Sequence, residues 1–410
     1  MTTADRADDR AAEDAPFRVL YVLPDLQIGG GQTIVLNGVR HLDRRWFEPV
    51  VCHLLEADEM APAFVDAGCP PRYVPHRSRR GALTVVELAR LIRHEKIDLV
   101  HVQSDLDRKY AQLAALVTGV PVVGQLHAMW VHLGPKYPEQ PNSVQRARAR
   151  LLGGLRDHVE RRTVRWYEAD SVDVRELFVP LVDVPITVTQ QAIPIDAYDI
   201  ALGSGARDRI RRELDIGDVP MLVNVSRLVE GKGHEHLVSV MAELGETHPD
   251  VVLVIVGDGD RRELVVREAD RAGVGDRVRL LGNRFDIPDL LTAADMFVFG
   301  SESEGFGLVA LEAMAAGKPV VAFRLPALEE FVGEGRTGHL IELGDIEGFA
   351  RAVGDLLNEP DRVCAMGDAG RRVVEERFHP RATSESFERA YRAVLSSATP
   401  RAANDRVKER

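Results

Sequence analysis

Two series of short Val/Ile/Leu-rich runs, each run followed by a segment of helical period, constrain this chain more than any other feature. The first series is "RVLYVL" (18–23), "PVVCHLL" (49–55), "IDLVHV" (97–102), "PVVGQLH" (121–127) and "ITVTQ" (186–190). Helix-period segments such as "QTIVLNGVRHL" and "LTVVELARLIRHEK" stand between them. Strands apolar on both faces and alternating with helices predict a parallel sheet covered on both sides. The pattern breaks around 195–220 at the polar "PIDAYDIALGSGARDR". It restarts with "MLVNVS" (221–226), "VVLVIVG" (251–257), "VRLLG" (278–282), "MFVFGS" (296–301), "PVVAF" (319–323) and "GHLIEL" (338–343). No sequence repeat relates the two series. A chain of 410 residues also exceeds what one core usually accommodates. We therefore expect two Rossmann-like α/β domains, 17–200 and 201–382, with a linker near residue 200.

The two ends, 1–16 ("MTTADRADDRAAEDAP") and 399–410 ("TPRAANDRVKER"), read as disordered tails without the apolar segment of a signal peptide or anchor. The formal charge of -12 argues against generic nucleic-acid binding. No apolar run approaches the ~18 residues of a membrane span. Cys52, Cys69 and Cys364 are scattered and odd in number, as expected of reduced, buried thiols in a cytoplasmic protein rather than a disulfide framework or a zinc site.

Chemistry concentrates in "SESEGFGLVALEAMAAGKPVVA" (301–322), where Glu304 and Glu312 bracket seven residues that are otherwise glycine or apolar. A strand ends at this point, "SEGFG" is the turn, and "LVALEAMAAG" is the next helix. Backbone N–H groups near Gly307, Leu308 and Val309 form an anion site at the helix start, and Gly305 and Gly307 allow close backbone approach. Glu312, one turn in, leans back toward that start and can accept hydrogen bonds from a vicinal diol, as acidic residues do with ribose in dinucleotide folds. Phosphates on the helix end and ribose on Glu312 describe a nucleoside diphosphate, with Glu304 facing whatever follows the second phosphate. A second loop, "NVSRLVEGKGHEHL", supplies Arg227 and Lys232. Lys232 is one of only six lysines and stands between two glycines. Two cations and a helix N-terminus stabilise a departing diphosphate without a metal.

These residues resemble the retaining glycosyltransferases of family 4, with the two-domain GT-B fold. The resemblance rests on Glu304-x7-Glu312 within "SEGFGLVALEAMAAGKPVV" and on "SRLVEGKG". It is supported by "VGDGDRRELV", "VRLLGNRFDIPDLLTAADMFV", "IGGGQTIVLN" and "VVGQLH", and it spans roughly 18–395. It implies two parallel sheets facing across a cleft that closes as the domains rotate, with the last helix, 383–398, crossing back onto the first domain. It implies that Arg227 and Lys232 hold the diphosphate, that Glu312 binds ribose, and that Glu304 with the backbone of Gly305, Phe306, Gly307 and Leu308 holds sugar hydroxyls and phosphate. Gly30 and Gly31 would approach donor phosphate or acceptor, and His127 would contact the transferred sugar. The implied reaction is a front-side, configuration-retaining transfer of a hexose-type sugar from a UDP- or GDP-linked donor to a small-molecule, lipid or polysaccharide acceptor, with no metal or other cofactor. Three positions depart from the family pattern: Gln32 replaces an acidic residue, "QAIPID" replaces Asn-Gly before the linker aspartate, and Pro326-Ala327 replaces a glycine pair.

The same positions also admit other readings. Glu304 and Glu312 read alternatively as a capping or solvated pair, Arg227 and Lys232 as ordinary loop charges, His127 as a core histidine, and Gly29–Gly31 as a tight turn. Asp105 and Asp107 in "SDLDRK" look like a metal-binding Asp-x-Asp, but both suit the cap of a helix starting near Arg108. His234 and His236 diverge at a helix start and do not make a metal pair. The arginine-rich 143–170 reads as a helix whose Leu151, Leu152, Leu155, Val159 and Val164 face inward, leaving at most a weak peripheral membrane contact. The stretch 128–142, with Trp130 and Tyr137, is either an acceptor pocket or a surface loop. The rival activities are a nucleotide-sugar epimerase of the same architecture, a non-catalytic sugar-nucleotide sensor and a dinucleotide dehydrogenase. The last lacks a convincing G-x-G-x-x-G with its acidic partner.

Overall fold

The computed structural model describes residues 15–77, 81–127, 154 and 156–396. The chain forms two compact units. One contains the residues up to Ala192 together with those from Arg381 onward, and the other is Ile193–Pro380. The division precedes the expected linker near 200, and that stretch is not a linker: Ile195–Gly203 and Ala206–Glu213 are helices. Their polar surface residues hide a sparse inward set, since Tyr198, Ala201 and Ile210 are buried. Residues 1–14 and 397–410, the segment 128–142 and Leu151, Leu152 and Leu155 lie outside the described residues.

The first unit holds β1 (Phe17–Leu23), β2 (Phe47–His53), β3 (Arg72–Tyr73), β4 (Leu99–Val102), β5 (Val122–Leu126), β6 (Val164–Ala169) and β7 (Ile186–Val188). They form one parallel sheet in the order β3-β2-β1-β4-β5-β6-β7. The second unit holds β8 (Met221–Val225), β9 (Val252–Val256), β10 (Val278–Gly282), β11 (Met296–Phe299), β12 (Val320–Phe323) and β13 (Gly338–Ile341), parallel in the order β10-β9-β8-β11-β12-β13. Almost every residue of β1, β4, β5, β9, β11 and β12 is buried, as two-sided helical cover requires. The likeness to doubly wound dinucleotide folds extends to strand order. In each sheet the order reverses between the first and fourth strands of the unit, β1|β4 and β8|β11. Loops leaving those strands flank the crevice in which open α/β sheets bind ligands.

Two strands escape the sequence reading. β3 is only two residues long. β6 falls inside the arginine-rich segment expected to be helical through 170: residues 156–163 are helical, but Val164–Ala169 are extended and pair with β5. Val159 and Val164 are buried, while Arg156, Arg161 and Arg162 are exposed.

The last helix, Ala382–Ser396, belongs to the first unit and packs on the helix Gly30–His41 and on β6. Phe387 and Tyr391 are fully buried, each burial contributing about 2–3 kcal/mol. A Cβ on Gly38 would stand 2.4 Å from the Phe387 ring, so this helix pair approaches only because residue 38 has no side chain. Asp43 N–H donates to Glu388 Oε1 (2.9 Å) and Gln190 N–H to Ser386 Oγ (3.0 Å), which fixes the register.

Candidate active site

In the second unit, the loop leaving β8 carries Arg227 and Lys232 into the helix His234–Leu244. Its root is pinned from below. Asn224 Nδ2 donates to the Val298 carbonyl (2.9 Å), Ser226 Oγ lies 2.9 Å from both Asn224 Oδ1 and His234 Nε2, and Leu228 N–H donates to the Asp258 carbonyl (3.0 Å). His234 is fully buried; burial holds its pKa down near 4, so it stays neutral. Gly233 caps the helix at φ +60, and a Cβ there would stand 1.8 Å from the Gly300 carbonyl oxygen. Only glycine satisfies both the left-handed backbone and that approach.

The loop leaving β11 is the other half of the crevice. Glu302 N–H donates to the Gly231 carbonyl (2.9 Å), tying the two loops together by backbone. Across this junction Lys232 Nζ donates to Glu304 Oε1 at 2.6 Å, with both side chains largely buried. Arg227 is exposed and, among the described residues, its guanidinium has no ion pair. The helix Leu308–Ala315 starts from Gly307 at φ +87 with no side-chain cap. Among the described residues the N–H groups of Leu308 and Val309 meet no acceptor, which leaves an electropositive end. Phe306 faces away from the loop surface: its ring packs on Phe331 (5.2 Å between centroids) and Phe378 (6.1 Å). Residues 305–308 therefore offer a ligand their backbone, while the Phe306 side chain anchors the turn.

Glu312 sits one turn further along that helix. Its carboxylate has neither an ion pair nor a hydrogen bond among the described residues, and burial pushes its pKa up from 4.5 to about 7. Tyr198 lies close enough to feel its charge. The loops thus bring Lys232 and Glu304 into contact, while Glu312, on the helix that follows, has no partner among the described residues.

In the first unit, the equivalent switch point is the turn after β1. Gly29 is extended and Gly30 and Gly31 open the helix Gly30–His41, again with no side-chain cap. A Cβ on Gly31 would lie 3.8 Å from His127 Cε1 and Nε2, so the turn and the histidine at the end of β5 meet. His127 Nδ1 is 2.5 Å from Asp170 Oδ2. Burial opposes protonation of the ring, but the Asp170 carboxylate outweighs it and holds the His127 pKa above its ordinary value. Asp170 accepts a further hydrogen bond from Gln125 Nε2 (2.9 Å). Gln32 Nε2 donates to Asp25 Oδ1 (2.9 Å), so the residue standing in the family's acidic position is held by another acid.

Asp170 is absent from the sequence-derived set because β6 was read as helix. The available signal was the β-forming run "VRWYEA" followed at once by the acid Asp170, the same strand-end placement that singles out His127. Asp107 is explained by capping: it accepts from the Ser104 hydroxyl and from the Gln103 and Ser104 N–H groups at the start of the helix Asp105–Thr118, while Asp105 is the first helical residue, where a negative charge suits the positive end of the helix. Among the described residues no group of three His, Cys, Asp or Glu side chains is placed to hold a metal ion. No helix among them is long and apolar enough to cross a membrane. Cys52 and Cys69 are buried, but Cys364 is exposed, contrary to the expectation for all three thiols.

Two family models match the chain. One described as "Glycosyl transferases group 1" covers residues 206–373, and one described as "Glycosyltransferase Family 4" covers residues 28–173. A GDP-mannose-dependent alpha-(1-6)-phosphatidylinositol monomannoside mannosyltransferase of Mycolicibacterium smegmatis is 38% identical over 43% of this chain and 49% of its own. A 2-deoxystreptamine glucosyltransferase of Streptomyces kanamyceticus is 29% identical over 72% of this chain and 78% of its own. The chain spans about half the length of the first curated relatives it matches. Among solved structures, Anabaena HepE in complex with UDP and glucose superposes with a TM-score of 0.77 at 20% identity, over 92% of this chain and 100% of that one. WaaG, a glycosyltransferase involved in lipopolysaccharide biosynthesis, gives 0.70 at 17% identity over 92% and 100%.

Proposed function

The chain belongs to the family-4-type glycosyltransferases of GT-B fold, and from that premise we propose that it moves a hexose-type sugar from a UDP- or GDP-linked donor to an acceptor hydroxyl with retention of configuration and without a metal. The observation that carries the reading is the Lys232–Glu304 contact, 2.6 Å long, at the strand-order reversal of the second sheet. The β8 and β11 loops are held in backbone contact by Gly231, Gly233 and Gly300. An anion arriving at the free N–H groups of Leu308 and Val309 attracts the Lys232 ammonium, and a sugar hydroxyl beyond it takes that cation's place on Glu304.

In the reaction, the bond between the anomeric carbon and the diphosphate oxygen breaks and a bond from the acceptor oxygen to the same face of that carbon forms. The acceptor proton passes to the departing phosphate oxygen, and the nucleoside diphosphate leaves. Lys232 and Arg227 offset the charge that grows on the diphosphate. Glu312 accepts the ribose hydroxyls. His127, with the Gly30 and Gly31 backbone, serves the transferred sugar.

UDP and GDP both stay within the proposal because HepE is solved with UDP and the mycobacterial relative is GDP-mannose-dependent. Small-molecule and lipid acceptors have precedent in the names of relatives, 2-deoxystreptamine and phosphatidylinositol monomannoside; a polysaccharide acceptor is retained from the family pattern. A cytoplasmic site of action fits the same reading.

The test is incubation with UDP-glucose or GDP-mannose, first alone and then with acceptors of each class. Nucleotide release and anomeric configuration are followed by NMR. Acceptor-dependent release with an α-linked product is expected. Interconversion of the sugar nucleotide without release would replace the transferase with an epimerase, and binding without turnover would leave a sensor.

A further inference from the structure

Beneath His127, one face of the first sheet carries a line of buried polar side chains that sugar transfer does not use. Register places Tyr21 on β1 beside His101 on β4. Tyr391 reaches this pair from the last helix, its hydroxyl 2.8 Å from Tyr21 Oη and 2.7 Å from His101 Nδ1. On the far side of the ring, His101 Nε2 and Gln125 Oε1 are both buried and lack a partner in ordinary hydrogen-bond geometry. His101 and Gln125 are neighbours on the paired strands β4 and β5, but the structure shows no bond between the two side chains. Gln125 Nε2 continues to Asp170 Oδ1 (2.9 Å), and Asp170 Oδ2 receives His127 Nδ1–H (2.5 Å).

Hydroxyl protons rotate, and with His101 Nε2 and Gln125 Oε1 brought into contact, one arrangement would satisfy every group. In that arrangement the bond in which Tyr391 donates to Tyr21 reverses, so that Tyr21 donates to Tyr391 and Tyr391 to His101 Nδ1, His101 Nε2–H would donate to Gln125 Oε1, and Gln125 and His127 both donate to Asp170. All of these side chains are at least nine-tenths buried except His127, which keeps 20% of its side chain exposed. Satisfied polar chains in a low-dielectric interior fix the orientation of their members.

We propose that Asp170 is a positioning residue for His127, and that a hydrogen-bonded line behind it, completed by contact between His101 and Gln125, ends on Tyr391, so that the carboxyl-terminal helix helps to set the orientation of the His127 ring. The proposal rests on the reading in which His127 serves the transferred sugar. Asp170 fixes Nδ1, which leaves Nε2 to the Gly31 side of the ring. The charged and titratable groups around His127 are Asp170 after β6, Arg108 and Asp107 on the helix Asp105–Thr118, and His101 on β4. Asp170 is the one in direct contact. His101, which burial depresses to about 3, stays neutral and conveys orientation rather than charge.

The test combines histidine-ring 15N NMR pH titration with steady-state nucleotide release from UDP-glucose and GDP-mannose, on wild type, Asp170→Asn, Tyr391→Phe and His127→Gln. His127→Gln identifies the ring signal. Asp170→Asn keeps an acceptor for Nδ1–H and removes the charge. Its His127 titration falls by about one pH unit or more, kcat falls about 10–100-fold with donor KM within about twofold, and the alkaline limb of the rate profile moves down in step. Tyr391→Phe shifts the His127 signal in the same sense by less and lowers kcat a few-fold, beyond anything its change in Tm explains.

A wild-type His127 titration in Asp170→Asn overturns the positioning role. An unmoved His127 signal in Tyr391→Phe overturns the link to the last helix. Full activity of His127→Gln overturns the functional reading instead, while the NMR titration still decides what Asp170 does to the ring. The titration also decides it if neither donor is turned over.

Discussion

Replacing Glu312 with Gln has two effects of opposite sign, and both follow from one buried carboxylate without a partner. In the unfolded chain this group loses its proton near 4.5; in the folded protein burial holds the proton until about 7. The folded state therefore binds more protons across that window, and stability falls as pH rises through it. The penalty is absent below 4.5 and complete above 7, where it amounts to at most about 3 kcal/mol. Glu312→Gln removes it, so the ligand-free variant should melt higher than wild type at pH 8 and the same at pH 4.5.

Donor binding responds the other way. In the proposed role, ribose hydroxyls donate to the ionised carboxylate, so binding must strip a proton that is half-retained near pH 7. Wild-type affinity for an intact nucleotide sugar should weaken about tenfold between pH 8 and pH 6. Glu312→Gln should bind about 10–100-fold more weakly at pH 8, as expected when a charge-assisted pair of hydrogen bonds becomes a neutral one, and should lose the slope. Isothermal titration at pH 6, 7 and 8 reads both quantities. The intact sugar nucleotide is the ligand of choice because a free terminal phosphate itself titrates near pH 6. A flat wild-type response, or a variant that keeps both affinity and slope, would refute the ribose role. A variant less stable than wild type at pH 8 would refute the burial argument.

Three further outcomes test other parts of the molecule. Lys232→Ala should lower nucleotide release about 10²–10³-fold while Tm moves only a few degrees; parallel losses of both would make the Lys232–Glu304 pair structural. Gly233→Ala forces a left-handed residue to carry a Cβ that would stand 1.8 Å from the Gly300 carbonyl, and should cost several kcal/mol in denaturant unfolding; an unchanged midpoint would show that the two loops separate freely. Burial pushes the Glu168 pKa up to about 7 despite the Thr187 and Thr189 hydroxyls, so Glu168→Gln should stabilise the protein above pH 7 and leave it unchanged near pH 4.5; destabilisation at pH 8 would show that those hydrogen bonds outweigh the cost of the charge.

How far the sequence reaches depends on what signals each element. Strands such as Val252–Val256 and Phe297–Phe299 are buried on both faces and announce themselves as unbroken apolar runs. β6 is the penultimate strand of its sheet, sets Trp166 and Tyr167 between the charged Arg165 and Glu168, and follows an arginine-rich helix directly, so its period is masked. The helices Ile195–Gly203 and Ala206–Glu213 bury few residues each and pass for a linker. At the site, residues joined by backbone geometry were legible: glycines that must be glycines, and charges flanked by them. Contacts between side chains distant in sequence were not. Nothing in residue spacing pairs Lys232 with Glu304 in preference to another acid, or sets Asp170 behind His127. The packing of the Phe306 ring on Phe331 and Phe378 was equally hidden, because a glycine turn conceals that the aromatic side chain inside it anchors the core.

The route of the backbone orders events during synthesis. The segment Ile193–Pro380 is continuous and has its own sheet, so it can complete its fold as soon as it leaves the ribosome. The unit that begins earlier finishes later: until Phe387 and Tyr391 emerge, the hydrophobic face of Gly30–His41 and the hydroxyl of Tyr21 have nothing to rest on. A ribosome that stalls after Pro380 but before the final fifteen-residue helix is made releases a protein whose youngest half is mature and whose oldest half is still open, a natural substrate for chaperones and proteases.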